Sequence, residues 1–322
     1  MKPEPEALRD WMPMRFYFRE SLPFVDWCYM ADQRFTHPFF SDTIRQRTAL
    51  PFNVLFRHQT PIEFLGELSE KNETIAPTGF IFHMSRCGST LVAQMFAALA
   101  ANIVISEAPP IDAIIGSTDV ERGTWLRWML GALARKRTGR EKNLFVKFDS
   151  WNTIELDFIR RVFPDVPWIF LYRNPIEVIV SHMRQRGSQM VPGAMEAILP
   201  GVSFSEALQM PPEEYCAKIL ARFCAAALDH ANDANALLVN YDQLPGAVTD
   251  IIASHFGVSF TPDELHQINE TGRFDAKTPQ MFFESDAARK RTDASDAVRQ
   301  AAANWLDPLY GELENKRLNI SK

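Results

Sequence analysis

GFIFHMSRCGSTLVAQMF, residues 79–96, decides the fold. Its opening run GFIFH (79–83) is a short apolar stretch that predicts a buried strand, and the small and apolar spacing of 89–101 predicts a helix. Between strand and helix stand Arg86, Gly88, Ser89 and Thr90. A glycine there lets the backbone turn tightly, so that successive N–H groups and the helix dipole converge on an oxyanion. Arg86 brings positive charge, and the two hydroxyls bring donors. Against the triphosphate-binding pattern G-x-x-x-x-G-K-[ST], Gly88 and Thr90 fit, while His83 replaces the first glycine and Ser89 the lysine. A cation moved forward to Arg86 suits a ligand whose charge lies elsewhere than on a β,γ-phosphate pair.

Outward from this loop, short apolar runs alternate with helical stretches. NIVIS (102–106), NLFVKF (143–148), PWIFLY (167–172) and ALLVNY (236–241) predict four more strands. Helices are predicted over 120–137, over 150–163 with Ser150 as N-cap, from Asn174-Pro175 onward, and over 212–232. Strands alternating with helices imply an α/β fold with a parallel sheet covered on both faces, its ligand at the carboxyl ends of the strands. Before residue 76 the text is aromatic and punctuated by Pro13, Pro23, Pro38, Pro51 and Pro61. That punctuation predicts a mainly helical N-terminal extension, residues 1–75, ahead of an α/β domain over 76–322.

The fourth strand ends in a second basic site. FLYRNPIEVIVSHMR puts Arg173 at the strand's carboxyl end and Ser181 on the following helix, where both could reach one phosphate.

The 322 residues carry 34 Lys+Arg against 40 Asp+Glu, a net charge of −6, which argues against a surface built for nonspecific binding to DNA or anionic membranes. Any basic function has to be local, and no nucleic-acid partner is expected. Cys28, Cys87, Cys216 and Cys224 form no Cys-x-x-Cys pair, so a reducing, cytoplasmic home is expected. Neither a secretory leader nor an apolar run long enough to span a membrane is read in the sequence.

Taken together, the two anion segments resemble the sulfotransferases that use 3′-phosphoadenosine 5′-phosphosulfate (PAPS). SRCGSTL is similar to that family's 5′-phosphosulfate loop, in the form seen in tyrosylprotein and many bacterial members. YRNPIEVIVSHM is similar to its 3′-phosphate segment, and VNYDQL (239–244) to its fifth-strand ending. The resemblance spans about residues 78–245 and implies a three-layer P-loop-type fold. It further implies PAPS as co-substrate and no metal. An acidic surface without a basic groove argues against polyanionic acceptors, so a hydroxyl or amine of a small metabolite is the expected acceptor, with a peptide or lipid left open.

Carried over residue by residue, it puts Arg86, Gly88, Ser89 and Thr90 on the 5′-phosphosulfate, with Cys87 contributing its backbone N–H, and Arg173 with Ser181 on the 3′-phosphate. Lys147 matches the third-strand lysine, and Arg86 and Lys147 would neutralise the developing charge. The histidine of cytosolic members is missing, and Asp149 stands in its place. Glu107, just past the second strand, is the first candidate for catalytic base and Asp149 the second. Arg289, in the run Arg289-Lys290-Arg291, is the candidate for the C-terminal loop over the 3′-phosphate, although the family's Arg-Lys-Gly pattern is not met. His83, His182, Trp125, Trp128 and Trp151 read as packing residues. The N-terminal extension and residues 187–211 read as acceptor-pocket or lid material. Two alternatives stay open: a P-loop kinase or NTPase using Mg-ATP with Asp149 on magnesium, and a nucleotide-binding protein without chemistry.

Overall fold

A computed structural model describes residues 5–71, 73–193, 202–278 and 280–320. Its strands are β1 (Trp11–Arg19), β2 (Leu22–Tyr29), β3 (His58–Pro61), β4 (Pro77–His83), β5 (Asn102–Ser106), β6 (Asn143–Lys147), β7 (Trp168–Tyr172) and β8 (Ala236–Asn240). The last five form one parallel sheet in the order β5-β6-β4-β7-β8, flanked by helices. All five strands read from the sequence are present, each within two residues of its expected bounds. Strands buried on both faces need continuous apolar runs, and Phe80, Ile81, Phe82, Phe145, Val146, Ile169 and Phe170 supply them. From β4 the chain moves to one side for β5 and β6 and to the other for β7 and β8. The carboxyl end of β4 is therefore the switch point, where a crevice opens.

The N-terminal extension holds the short helices expected of it, and beside them a sheet that was not expected. β1, β2 and β3 form an antiparallel meander, with Trp11 opposite Tyr29 and Arg19 opposite Leu22. Short helices, Phe40–Thr48, Pro51–Leu55 and Glu63–Lys71, accompany it. Two features hid the hairpin. Its turn residues, Glu20 and Ser21, adopt φ of 51° and 66°, values that Asn-Gly or Asp-Gly usually signal. Pro13, which reads as a strand breaker, sits where the register shifts between Pro13 and Arg15, a position that tolerates proline. The meander is not separate in its packing: Phe16 lies 5.6 Å from Trp125, and buried Arg135 donates to the carbonyls of Leu8 and Trp11.

Helix ends follow the local chemistry. Asn174 caps Pro175–Arg184, accepting from the N–H groups of Ile176 and Glu177. The predicted cap at Ser150 is not formed. Residues Ser150–Glu155 wind as a tight 3₁₀ turn before the α-helix Leu156–Val162, and the Ser150 hydroxyl donates to Asp149 instead. Trp125 is buried, and Trp128 packs partly buried against the core. All four cysteines are free and buried. Among the described residues no helix is long and apolar enough to cross a membrane.

Candidate active site

The loop after β4 is bent by three departures from ordinary backbone within four residues. Ser85 and Arg86 have φ of 77° and 51°, and Gly88 has 85°. Two non-glycine residues in the left-handed region cost free energy, and such strain is found where a backbone must aim its N–H groups. A Cβ on Gly88 would come within 2.6 Å of Leu244 and 3.0 Å of the Tyr241 ring, so only glycine fits. The helix Ser89–Ala97 starts at once, with Ser89 and Thr90 at its positive end. Cys87 points the other way: it is fully buried, its Sγ contacts the Leu171 carbonyl at 3.1 Å, and burial pushes the thiol up to about 12.

A cavity of about 570 Å³ lies over this loop, within the size range of ligand sites. Arg86, Cys87, Gly88, Ser89 and Thr90 form one wall, Arg173 and Ser181 a second, and Glu107 and Asp149 a third. Nine residues nominated from four separated stretches of sequence thus meet around one space. Lys147 stands behind Glu107: its side chain is fully buried, and its ammonium pairs with the Glu107 carboxylate and sits 5.1 Å from the Phe39 ring. Arg289 is corrected. It is exposed and does not line the cavity, because Lys290 on the same short helix (Ala287–Thr292) faces inward, and Arg291 reaches Glu177 at 2.6 Å.

Glu107 is positioned by the sheet. β5 and β6 run in register with Ser106 beside Lys147, and the Glu107 N–H donates to the Lys147 carbonyl at 2.8 Å. Its φ is 50°, a further left-handed residue at the strand end. Burial alone would raise the Glu107 carboxyl, but Lys147 and then His83, 3.5 Å away, outweigh it and hold it well below the usual carboxylate range. His83 Nδ1 accepts from the Ser85 N–H at 3.1 Å, which leaves the proton on Nε2, shared between the Phe148 carbonyl at 3.1 Å and Glu107. With both ring nitrogens used in this way, His83 orients the loop and the carboxylate. Asp149 is shifted the opposite way: burial, then the Glu107 charge, raises it. Asp112 is raised to about 8 by burial and then by Asp149, and accepts from Asn152 at 2.7 Å.

Arg173 is almost fully buried. Its guanidinium lies 3.8 Å over the Tyr241 ring, its Nε donates to Glu177 at 2.6 Å, and its Nη2 reaches Asp286 at 3.4 Å. Glu177, fully buried, holds both Arg173 and Arg291. Ser181 donates to the Glu177 carbonyl one turn back. Arg86 is half-buried, donates to the Gln185 carbonyl at 2.9 Å, and is lowered by loss of solvent.

Several wall residues escaped the sequence reading. Gln189 bonds both Ser85 and Ser150, tying the anion loop to the Asp149 side. It falls in the expected lid segment, of which residues 194–201 lie outside the described residues. Phe274, Lys277, Phe283 and Asp286 form a strap across the cavity, pinned by stacking of Phe274 on Phe282 at 4.9 Å. Burial, then Arg86 and Lys147, lowers Lys277 to about 8. Of the two histidines, His83 lines the cavity and His182 does not. Among the described residues no group of three or more His, Cys, Asp or Glu side chains is arranged to hold a metal ion.

No family model and no curated protein matches the chain. Among solved structures it is similar to the sulfotransferase domain of the curacin biosynthetic pathway, with 16% identity over 72% of this chain and 98% of that one, TM-score 0.45. It is similar also to the sulfotransferase domain of the Synechococcus PCC 7002 olefin synthase, with 18% identity over 73% and 96%, TM-score 0.45. A third is sulfotransferase STF1 from Mycobacterium tuberculosis H37Rv, with 13% identity over 76% and 80%, TM-score 0.43.

Proposed function

We propose that the chain is a sulfotransferase that moves a sulfuryl group from PAPS to a hydroxyl or amine of a small-molecule acceptor. The observation that carries this reading is the single cavity in which the strained Arg86–Thr90 loop, the Glu107 carboxylate and the Arg173–Ser181 site face one another. The donor would supply an activated sulfuryl group on a phosphate leaving group. The residues fit such a ligand: the Gly88 cradle has no room for a Cβ, and Arg173 is fixed by Tyr241 and Glu177 as a fork for phosphate oxygens.

For transfer, an acceptor oxygen or nitrogen bonds to sulfur as the sulfur–oxygen bond to the phosphate breaks, and the acceptor's proton leaves to a base. Positioning and electrostatics carry such a reaction. Arg86, the loop N–H groups and the Ser89 and Thr90 hydroxyls bind the anion. Lys147 turns from Glu107 toward the negative charge gathering on the leaving oxygen. Glu107, relieved of its ammonium partner, becomes a stronger base and takes the proton. Asp149 is the second candidate, favoured by one observation: its raised affinity for protons makes it the stronger base before any ligand binds.

The Mg-ATP reading is less well supported, since Ser89 leaves the loop without the lysine that reaches β/γ-phosphates.

The test is transfer from labelled PAPS to a panel of phenols, alcohols and amines. Glu107→Gln keeps an amide oxygen for Lys147, and should retain adenosine 3′,5′-bisphosphate binding while turnover falls about 100-fold or more. Full activity in Glu107→Gln with loss in Asp149→Asn would move the base to Asp149. No transfer by the parent protein to any acceptor, nucleotide binding notwithstanding, would leave the reading without chemistry.

A further inference from the structure

The N-terminal meander carries an apolar protrusion and a polar cavity that sulfuryl transfer does not use. In the helix Pro51–Leu55 and its flanks, Leu50, Phe52, Val54, Leu55 and Phe56 are each between 40% and 75% exposed. A mobile loop would show such exposure without meaning, but this one is fixed. Buried Asn53 accepts from the Tyr29 N–H at 2.7 Å and donates to the carbonyls of Tyr29 and Arg47 at 3.0 and 2.9 Å. Phe52 packs its base against Tyr29 and Trp11, at 4.6 and 5.9 Å between rings. The other apolar side chains are left standing in water, a cost that soluble surfaces avoid unless something covers them.

The charge around the protrusion is mainly positive, with Asp26, Asp42 and Glu63 at its margins. Residues 43–62 contain Arg45, Arg47 and Arg57 and no Asp or Glu, in a chain whose net charge is −6. Asp42 neutralises Arg45 only in part, at 3.1 Å on the exposed surface. Beside the protrusion opens a second cavity, of about 510 Å³, walled by Arg15, Thr48, Asn53, Arg57, His58 and the Trp27 ring. Its one carboxylate, Asp26, is already engaged by the Tyr17 hydroxyl at 3.1 Å and by Gln59 at 3.3 Å. A two-fold contact with a second copy would set Arg45, Arg47 and Arg57 against themselves, and is opposed by like charge.

We propose that this face docks on an anionic phospholipid bilayer: Leu50, Phe52, Val54, Leu55 and Phe56 enter the acyl boundary, and Arg57 and Arg15 hold a phosphate headgroup in the neighbouring cavity. Apolar insertion and attraction of basic residues to anionic headgroups add to one another in such binding. The proposal does not depend on the sulfotransferase reading.

Co-sedimentation with vesicles tests it, using phosphatidylcholine containing phosphatidylserine beside phosphatidylcholine alone. The protein is expected to pellet with the mixed vesicles, weakly with the neutral ones, and less as salt is raised. Leu55→Asp, at the most exposed position, should lower the affinity about tenfold or more. Arg57→Glu should also lower it severalfold. Leu22→Asp, also an exposed leucine but at the far end of the hairpin, should change nothing. Circular dichroism melts of all three variants check folding. Failure to pellet with the mixed vesicles overturns the proposal, as does equal retention of Leu55→Asp. A dimer by light scattering that Leu55→Asp dissolves would assign the face to a second copy, and would equally overturn it.

Discussion

Arg173 is committed before any ligand arrives. Stacked on Tyr241 and bonded through its Nε to buried Glu177, it has little freedom left to lose, so ordering it costs a ligand almost nothing. The planar fork is the useful part, and lysine cannot copy it. Arg173→Lys should weaken adenosine 3′,5′-bisphosphate about tenfold or more by calorimetry, and Arg86→Ala should do so comparably, these being charge-assisted bonds. Unchanged affinity in both would remove the nucleotide from this cavity.

At the same scale, Asp112 leaves a signature in stability. Its ordinary value is near 3.8 and burial, then Asp149, raises it to about 8. Between those values the folded chain holds a proton that the unfolded chain has released, so stability falls as pH rises through the window and levels off above it. Asp112→Asn should therefore be more stable relative to the parent at about pH 9 than at about pH 5, by up to a few kcal/mol. Parallel melting curves for the two proteins across that range would contradict the raised value.

Among the elements, the strap from Phe274 to Asp286 has the most to say about binding. Asp286 accepts from Lys290 at 2.9 Å and from Arg173 at 3.4 Å, so a carboxylate sits on two cations that a phosphate would need. Against burial, those two partners hold it ionised, below the usual carboxylate range. Asp286→Asn should tighten bisphosphate binding about fivefold, by removing an internal competitor. Weaker binding in that variant would mean that Asp286 touches the ligand itself.

The elements also show where sequence reading worked. β4 to β8 were legible because strands buried on both faces leave unbroken apolar text between turn residues, and Asn174-Pro175 announced its helix with a cap that the structure uses. The hairpin of β1 and β2 was not, since Glu20-Ser21 adopts a left-handed turn without the residues that advertise one. Arg86, Gly88, Thr90 and Arg173 could be nominated because each follows a strand end closely, whereas Glu107 comes from the family resemblance. Lys277, Asp286 and Gln189 could not: loops far along the chain bring them in, and no local pattern marks them. Arg289 failed by one position, because helix phase decides which residue of a basic run turns inward, and here it is Lys290.

For the whole molecule, a net charge of −6 is compatible with anion binding because the cations are gathered. Arg86, Arg173, Arg184, Lys277 and Lys290 line one cavity together with Glu107, Asp149, Asp275, Glu284 and Asp286. Anion binding there rests on where the cations stand, around the loop after β4 and the end of β7, and not on an excess of them. The parallel sheet makes this possible by delivering β5, β6, β4 and β7, in that order, with their carboxyl ends on one edge. On the proposed function, this cavity is expected to hold an adenosine bisphosphate without help from a metal. Thermal melting with adenosine 3′,5′-bisphosphate and a chelator, beside ATP with magnesium, tests it most directly. At about 100 times its dissociation constant the bisphosphate adds about 2.7 kcal/mol, a rise of several degrees in Tm, and that rise is expected with the bisphosphate alone. A rise only with magnesium and ATP, or no rise with either, would contradict the account.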